Sequence, residues 1–151
     1  MTDFYKTAES LIQGSKPLSR KYYTEQLILD DEIKNIFFQS WLCIGRSNEI
    51  SKIGQYKIIN VKDESLIVVR NKNYDINVFS NSCRHRGTRI CNKAEGRFSK
   101  SIQCPYHGWT YGLNGKLIGV PNMGDVENFS KKEYSLFSIH IKEWEGFIFI
   151  N

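Results

Sequence analysis

The sequence has few of the features that define a membrane protein or a disulfide-rich secreted protein. Only four of its 151 residues are cysteines. No apolar run approaches the ~20 residues that span a bilayer. The N-terminus MTDFYKTAES lacks the basic and then apolar pattern of a signal peptide. These absences predict a cytoplasmic protein with reduced thiols and no membrane partner.

The chain also lacks a large excess of charge of either sign. Its net charge of +5 results from 21 basic and 16 acidic residues. The basic residues interleave with acidic ones and form no stripe of the kind that binds nucleic acid, so no nucleic-acid partner is expected. A mildly basic surface is suited instead to docking an acidic protein.

Secondary-structure signals divide the chain near residue 40. Apolar residues at helical spacing predict a short helix over residues 4–12 and a second over about residues 30–41. From Leu42 onward, short β-type runs alternate with turn signals, including the turn pair Asn114–Gly115. The predicted strands lie within residues 56–61, 65–70, 76–81, 110–120, 136–144 and 146–151. The sequence therefore predicts a mainly β fold, a small antiparallel sandwich or barrel over residues 41–151, behind an N-terminal helical arm over residues 1–40.

Two short Gly-containing turns each hold one cysteine and one histidine. Residues 83–87 read CRHRG and residues 104–108 read CPYHG, with eighteen residues between His85 and Cys104. The candidate metal ligands are Cys83, His85, Cys104 and His107. Such a set can hold one tetrahedral zinc ion, or a Rieske-type [2Fe–2S] cluster with two cysteines on one iron and two histidines on the other. Zinc fingers usually keep cysteines together and histidines together, which favours the cluster but leaves zinc open.

The remaining cysteines and histidine have no partner at metal-ligand spacing. Cys43, within the apolar run WLCIG, is expected to be a small core residue. Cys91 is expected to be a free, partly buried thiol, and His140 is expected to lie on the face of a strand.

The ligand set predicts one-electron chemistry if it holds a cluster. Two thiolates neutralise the charge of an oxidised [2Fe–2S] core, and neutral imidazoles add none. Since a neutral centre accepts an electron more easily than an anionic one, histidine ligation raises the potential to roughly −150 to +300 mV. The outer nitrogens of the imidazoles can couple this electron to a proton.

The segments CRHRGTRIC and CPYHGWTYGLNGKL resemble the Rieske domain of ring-hydroxylating and related Rieske non-haem iron oxygenases, in their alpha (large) subunit. The flanking segments FFQSWLCIGRSNEI and EWEGFIFIN also resemble that family, so the resemblance covers about residues 41–151. It implies that Cys83, His85, Cys104 and His107 bind a Rieske [2Fe–2S] cluster. A stand-alone Rieske ferredoxin, acting as an electron carrier, and a zinc-stabilised binding module are the alternatives.

The resemblance implies that this chain transfers electrons but does not oxygenate a substrate by itself. Family members continue into a catalytic domain whose mononuclear Fe(II) is bound by two histidines and a carboxylate, and that domain is expected to be absent here. Beyond the four candidate ligands only His140 remains, so no such triad can be built. The family also implies a ferredoxin or flavin reductase as electron donor, a homo-oligomer such as a trimer in full-length form, and ring hydroxylation or N/O-demethylation as the reaction. Arg84, Arg86 and Arg89 are candidates for docking the donor.

Respiratory Rieske proteins resemble the same motif but carry an additional cysteine in each loop and a serine after the second His-Gly. Here those positions hold Thr88, Tyr106 and Trp109. Without a loop disulfide and a serine hydroxyl, we expect a potential near the lower end of the range above.

Overall fold

A computed structural model describes residues 17–121, 123 and 126–151 of the chain. The chain divides into two compact units between Ser40 and Trp41. The helix predicted over residues 4–12 lies outside the described residues. Among the described residues, no helix is long and apolar enough to cross a membrane.

The described part of the first unit consists of short helical segments. Helix α1 covers Lys21–Thr24, helix α2 covers Gln26–Glu32, and one π-helical turn follows over Ile33–Phe37. The helix predicted over residues 30–41 is therefore wrong at both ends. The π-helical bond from the Phe38 N–H to the Ile33 carbonyl ends the α-helical pattern before Trp41.

The described residues of the second unit form three antiparallel sheets, which confirms the predicted mainly β fold. The outer sheet contains β1 (Leu42–Arg46), β9 (Ile141–Trp144) and β10 (Phe147–Ile150), in the order β1-β10-β9. The central sheet contains β2 (Gln55–Val61), β3 (Glu64–Arg70), β4 (Ile76–Ser80) and β5 (Glu95–Arg97), in the order β4-β3-β2-β5. The small sheet contains β6 (Ser101–Gln103), β7 (Thr110–Gly112) and β8 (Leu117–Gly119), in the order β6-β7-β8. Two 3-10 turns cover Ser47–Ile50 and Lys131–Tyr134.

The central sheet separates two hydrophobic cores. Strand β3 has the continuous apolar run LIVV, which is typical of a strand buried on both faces. Its side chains alternate, so Ile67 and Val69 enter the first core, and Leu66 and Val68 enter the second core. The first core packs the central sheet against the small sheet through Ile102, Tyr111 and Leu117. The second core packs it against the outer sheet through Ile148 and Ile150.

The position of Cys43 contradicts the expectation that it is a core residue. Cys43 lies on β1 opposite Phe149 and is exposed. Strand β1 belongs to an outer sheet, and the side chains that pack on the second core are its neighbours Leu42 and Ile44. Because successive side chains of a strand point to opposite faces, Cys43 points away from that core.

Most of the remaining strand predictions are confirmed within one or two residues. The Asn114–Gly115 turn joins β7 to β8, as expected. The strand predicted over residues 136–144 is shorter, since β9 begins only at Ile141. His140 therefore precedes β9 instead of lying within it, and it is exposed.

Candidate metal centre

The first cysteine–histidine turn covers residues 83–88 and is closed by two backbone hydrogen bonds. The Cys83 N–H donates to the Thr88 carbonyl at 2.9 Å, and the Gly87 N–H donates to the Cys83 carbonyl at 2.8 Å. Gly87 has φ +68°, a left-handed conformation that glycine adopts without the steric cost of a Cβ atom. This turn presents His85, which is partly buried.

The second turn, residues 104–109, repeats the same backbone arrangement. The Cys104 N–H donates to the Trp109 carbonyl at 2.8 Å, and the Gly108 N–H donates to the Cys104 carbonyl at 3.1 Å. Gly108 has φ +71°. The two turns differ in which position carries histidine, because His85 is two residues after its cysteine and His107 is three residues after its own.

The two cysteines of these turns are buried next to each other. Cys83 is 2% exposed and Cys104 is 3% exposed. Burial raises the pKa of the Cys104 thiol, which also hydrogen bonds with Cys83, while the Tyr106 and His107 N–H groups act to lower it. Because two adjacent buried thiolates repel each other, a bound cation is needed to hold both sulfurs deprotonated.

The two histidines also meet each other. The ring centroids of His85 and His107 are 4.7 Å apart, with the rings edge to face. His85 stacks on Trp109, whereas the exposed His107 packs against Tyr106 with ring centroids 3.7 Å apart. Partial burial and then the neighbouring His107 and Arg86 charges lower the pKa of His85. This favours the neutral imidazole, which is the form that binds metal.

The structure thus brings the four candidate ligands together as two like pairs. Within the described ranges there is no group of three or more His, Cys, Asp or Glu side chains arranged to hold one metal ion. A [2Fe–2S] cluster of the Rieske type needs two thiolates on one iron and two imidazoles on the other. The pairing of Cys83 with Cys104, and of His85 with His107, fits that donor set.

Tyr111 is a further residue of this site that the sequence did not reveal. Its hydroxyl lies 3.2 Å from Cys83 Sγ and accepts the Arg84 N–H at 3.1 Å. Burial and the neighbouring Cys83 raise the pKa of Tyr111, so the hydroxyl keeps its proton and can donate it to the sulfur. The available signal was a tyrosine on a buried strand, since a buried hydroxyl usually needs a partner. A donor to this sulfur stabilises the reduced state, which opposes the expected low potential.

The two arginines of the first turn, Arg84 and Arg86, and the adjacent Arg89 are not equivalent. The Arg84 guanidinium carbon lies 3.7 Å from the centre of the Phe137 ring, and Nη2 donates to the Glu133 carbonyl at 3.3 Å. Its Nε is buried and has no hydrogen-bond partner. Arg86 and Arg89 are exposed, so these two are the better placed to meet a partner protein.

Cys91 is a free thiol, as expected, and is almost fully buried. It hydrogen bonds with Tyr56, and burial raises the pKa of Cys91 to about 11. It is therefore protonated at neutral pH and is a poor metal ligand.

Residues 40–130 match the family model of the Rieske [2Fe-2S] domain. Over 145 residues the chain is 35% identical to the alpha subunit of biphenyl 2,3-dioxygenase from Rhodococcus jostii (strain RHA1). This alignment covers 95% of this chain and 31% of that subunit. The chain is 34% identical over 139 residues to the carnitine monooxygenase oxygenase subunit of Escherichia coli (strain K12), covering 92% of this chain and 37% of that subunit. The chain thus spans about a third of the length of these curated relatives.

Solved structures of similar proteins have the same fold over most of this chain. A quaternary ammonium Rieske monooxygenase in complex with L-carnitine superposes with a TM-score of 0.80 at 33% identity, covering 87% of this chain and 37% of that chain. Naphthalene 1,2-dioxygenase from Rhodococcus sp., bound to indole, superposes with a TM-score of 0.77 at 32% identity, covering 82% of this chain and 29% of that chain.

Proposed function

This chain belongs to the Rieske [2Fe–2S] domain family, and from that membership we propose that it transfers single electrons through a cluster bound by Cys83, His85, Cys104 and His107. The observation that carries the proposal is the pairing of the two buried cysteines and of the two histidine rings. The bound cluster supplies a one-electron redox centre whose potential histidine ligation raises.

The surrounding residues act on the two ends of this site differently. Cys83 and Cys104 lie in the first core, where burial keeps water from the sulfurs. Tyr111 donates a hydrogen bond toward Cys83, and this favours the added negative charge of the reduced state. His107 is exposed, so its imidazole is the part of the site that a partner can reach.

We further propose that the chain is the electron-relay portion of a larger oxygenase. Its relatives are subunits of a biphenyl dioxygenase and a carnitine monooxygenase, and it spans about a third of their length. In this proposal a ferredoxin or flavin reductase in the cytoplasm reduces the site. The electron would then pass to a mononuclear iron outside this chain, where O₂, as the oxidant, would be reduced while an aromatic ring or a quaternary ammonium compound is oxidised.

The cluster proposal is tested by the absorption and electron paramagnetic resonance (EPR) spectra of protein purified without oxygen. We expect a coloured protein with iron and acid-labile sulfide, and a Rieske-type EPR signal after reduction. Cys104→Ser should abolish the signal, whereas the matched change Cys91→Ser should preserve it, because Cys91 is equally buried but is not a proposed ligand. A colourless protein with stoichiometric zinc would refute the cluster.

The oxygenase proposal is tested by the gene sequence that follows the codon for Asn151. An open frame encoding two further histidines and a carboxylate at ligand spacing supports a catalytic iron domain. A stop codon at that point supports a stand-alone electron carrier instead.

A further inference from the structure

The side chain of Asn81 closes the base of the first turn. Asn81 directly follows β4 and is only 3% exposed. Its Oδ1 accepts the N–H groups of Ile90 at 3.2 Å and Cys91 at 2.8 Å. Its Nδ2 donates to the Cys91 carbonyl at 2.8 Å and to Ser65 Oγ at 3.1 Å. Both donors and both acceptor positions of the amide are therefore used.

This clamp appears where regular strand pairing is missing. The second turn is flanked by β6 and β7, whose antiparallel pairing extends to Gln103 opposite Thr110. Beside the first turn, Ser82 and Arg89 form an isolated bridge and the Ile90 N–H donates to the Asn81 backbone carbonyl at 3.3 Å, but Ile90 and Cys91 belong to no strand. At the first turn the Asn81 amide thus supplements a backbone pairing that is less regular than the pairing beside the second turn.

The clamp is also anchored to the central sheet. The Asn81 N–H donates to the Ser65 carbonyl at 2.8 Å, and Ser65 belongs to β3. The chain that enters the first turn and the chain that leaves it are therefore tied to one strand that is buried on both faces. Because the turn is short and is closed by two backbone hydrogen bonds, the position of its base sets the position of Cys83 and His85.

We propose that Asn81 is a positioning residue of the electron-transfer centre, whose amide fixes Cys83 and His85 relative to Cys104 and His107. This inference rests on the proposed function. Removing the amide leaves the buried Cys91 N–H without an acceptor, and leaves the Ile90 N–H only its 3.3 Å hydrogen bond to the Asn81 backbone carbonyl. Water must then enter the base of the turn, or the turn must move, and either change loosens one half of the ligand set.

The test compares two buried asparagines of the same unit. Asn71 is 9% exposed, and its Oδ1 accepts the Asn73 and Asp75 N–H groups in the turn between β3 and β4. Asn81→Ala and Asn71→Ala should both lower the unfolding temperature. Only Asn81→Ala should alter the EPR spectrum and midpoint potential of the loaded chain. It should also lower the affinity for iron by about tenfold, the lower end of the effect of changes behind metal ligands, so that a chelator removes the iron faster.

Ser65→Ala provides a milder variant for the case in which Asn81→Ala does not fold. It removes one acceptor of the Asn81 amide and leaves both turns intact, so a smaller shift in the same direction is expected. The inference is wrong if Asn81→Ala and Ser65→Ala both keep the wild-type EPR spectrum and chelation rate. It is equally wrong if Asn71→Ala changes the EPR spectrum and the chelation rate as much as Asn81→Ala does. If Asn81→Ala is unfolded, the result for Ser65→Ala alone tests the inference. Wild-type protein without a Rieske signal would instead refute the proposed function, and this inference with it.

Discussion

The Trp109 indole stacks on the His85 imidazole, with ring centroids 4.8 Å apart and ring planes inclined by 9°. Trp109 belongs to the second turn and His85 to the first, so this contact joins the two turns directly. Phe129 and Tyr134 contact the indole edge to face and hold it within the first core. The orientation of one candidate ligand is therefore fixed by a residue of the opposite turn.

Replacing Trp109 should affect both stability and the environment of His85. Trp109→Ala removes a buried aromatic side chain, and we expect a loss of about 3–5 kcal/mol in the free energy of unfolding. Trp109→Phe keeps an aromatic ring for stacking and should be milder. Chemical denaturation measures the first effect, and the EPR spectrum of the reduced protein measures the second. A Trp109→Ala protein with an unchanged spectrum would show that the stacking does not orient His85.

Tyr111→Phe should lower the reduction potential. The change removes the hydroxyl 3.2 Å from Cys83 Sγ, and with it a hydrogen bond that favours the reduced state. It also leaves the Arg84 N–H without its acceptor, at a cost of about 1–3 kcal/mol. A redox titration measures the potential.

The control for this prediction is Tyr56→Phe. It removes a similar hydroxyl–thiol contact in the same core, but to Cys91, which is not a proposed ligand. The reduction potential of Tyr56→Phe should equal that of the wild type. Equal shifts in both variants would mean that the core as a whole, and not the bond to Cys83, sets the potential.

The two cysteines outside the site should differ strongly in reactivity. Cys43 is exposed, whereas Cys91 is buried with its pKa raised to about 11. Alkylation at mild pH, followed by peptide mass spectrometry, should label Cys43 first, because the thiolate is the reactive form. Rapid labelling of Cys91 in the folded protein would contradict its burial.

The raised pKa of Cys91 also predicts how stability depends on pH. The folded state holds this proton more tightly than the unfolded chain, whose thiol has the ordinary value of 9.0. The contribution of Cys91 to the free energy of unfolding is therefore fully present below pH 9, and it is lost as the pH rises toward about 11. Cys91→Ala should flatten this part of the stability profile.

Charge reversal at Arg86 and Arg89 should slow reduction by an acidic donor. Both side chains are exposed, Arg86 within the first turn and Arg89 next to it, so they can steer an encounter at low salt. Stopped-flow reduction of the double variant Arg86→Glu/Arg89→Glu should be slower than that of the wild type, and the difference should shrink as salt is added. Lys142→Glu, an exposed change on the outer sheet, is the matched control. An unchanged rate in the double variant would exclude this docking surface.

The sequence was most informative where the signal is local. Strands β2 and β3 were predicted within one residue, because their apolar runs are long and turn residues bound them. Strands β5 and β6 are only three residues long and gave no signal of their own. Cys43 was misplaced because an apolar run does not tell which face of an outer strand is covered.

The candidate site likewise has a local part, which the sequence predicts, and a non-local part, which it does not predict. The spacing of cysteine and histidine within each turn is local, so the four residues could be selected from the sequence. The contacts that support them are not local. The Tyr111 hydroxyl reaches Cys83 across 28 positions of the chain, and the Asn81 amide reaches Ser65 across 16. Such contacts follow from how the sheets pack, and no spacing rule within a single sequence predicts them.

The separation of the two cores has a consequence for the protein after it loses iron. Cys83, Cys104 and Trp109 all belong to the first core, and the second core contains no candidate ligand. The packing of the outer sheet against one face of the central sheet therefore does not depend on the metal. Iron loss should loosen only the half of the unit beside the turns, while the other half remains as a template on which the site can be rebuilt.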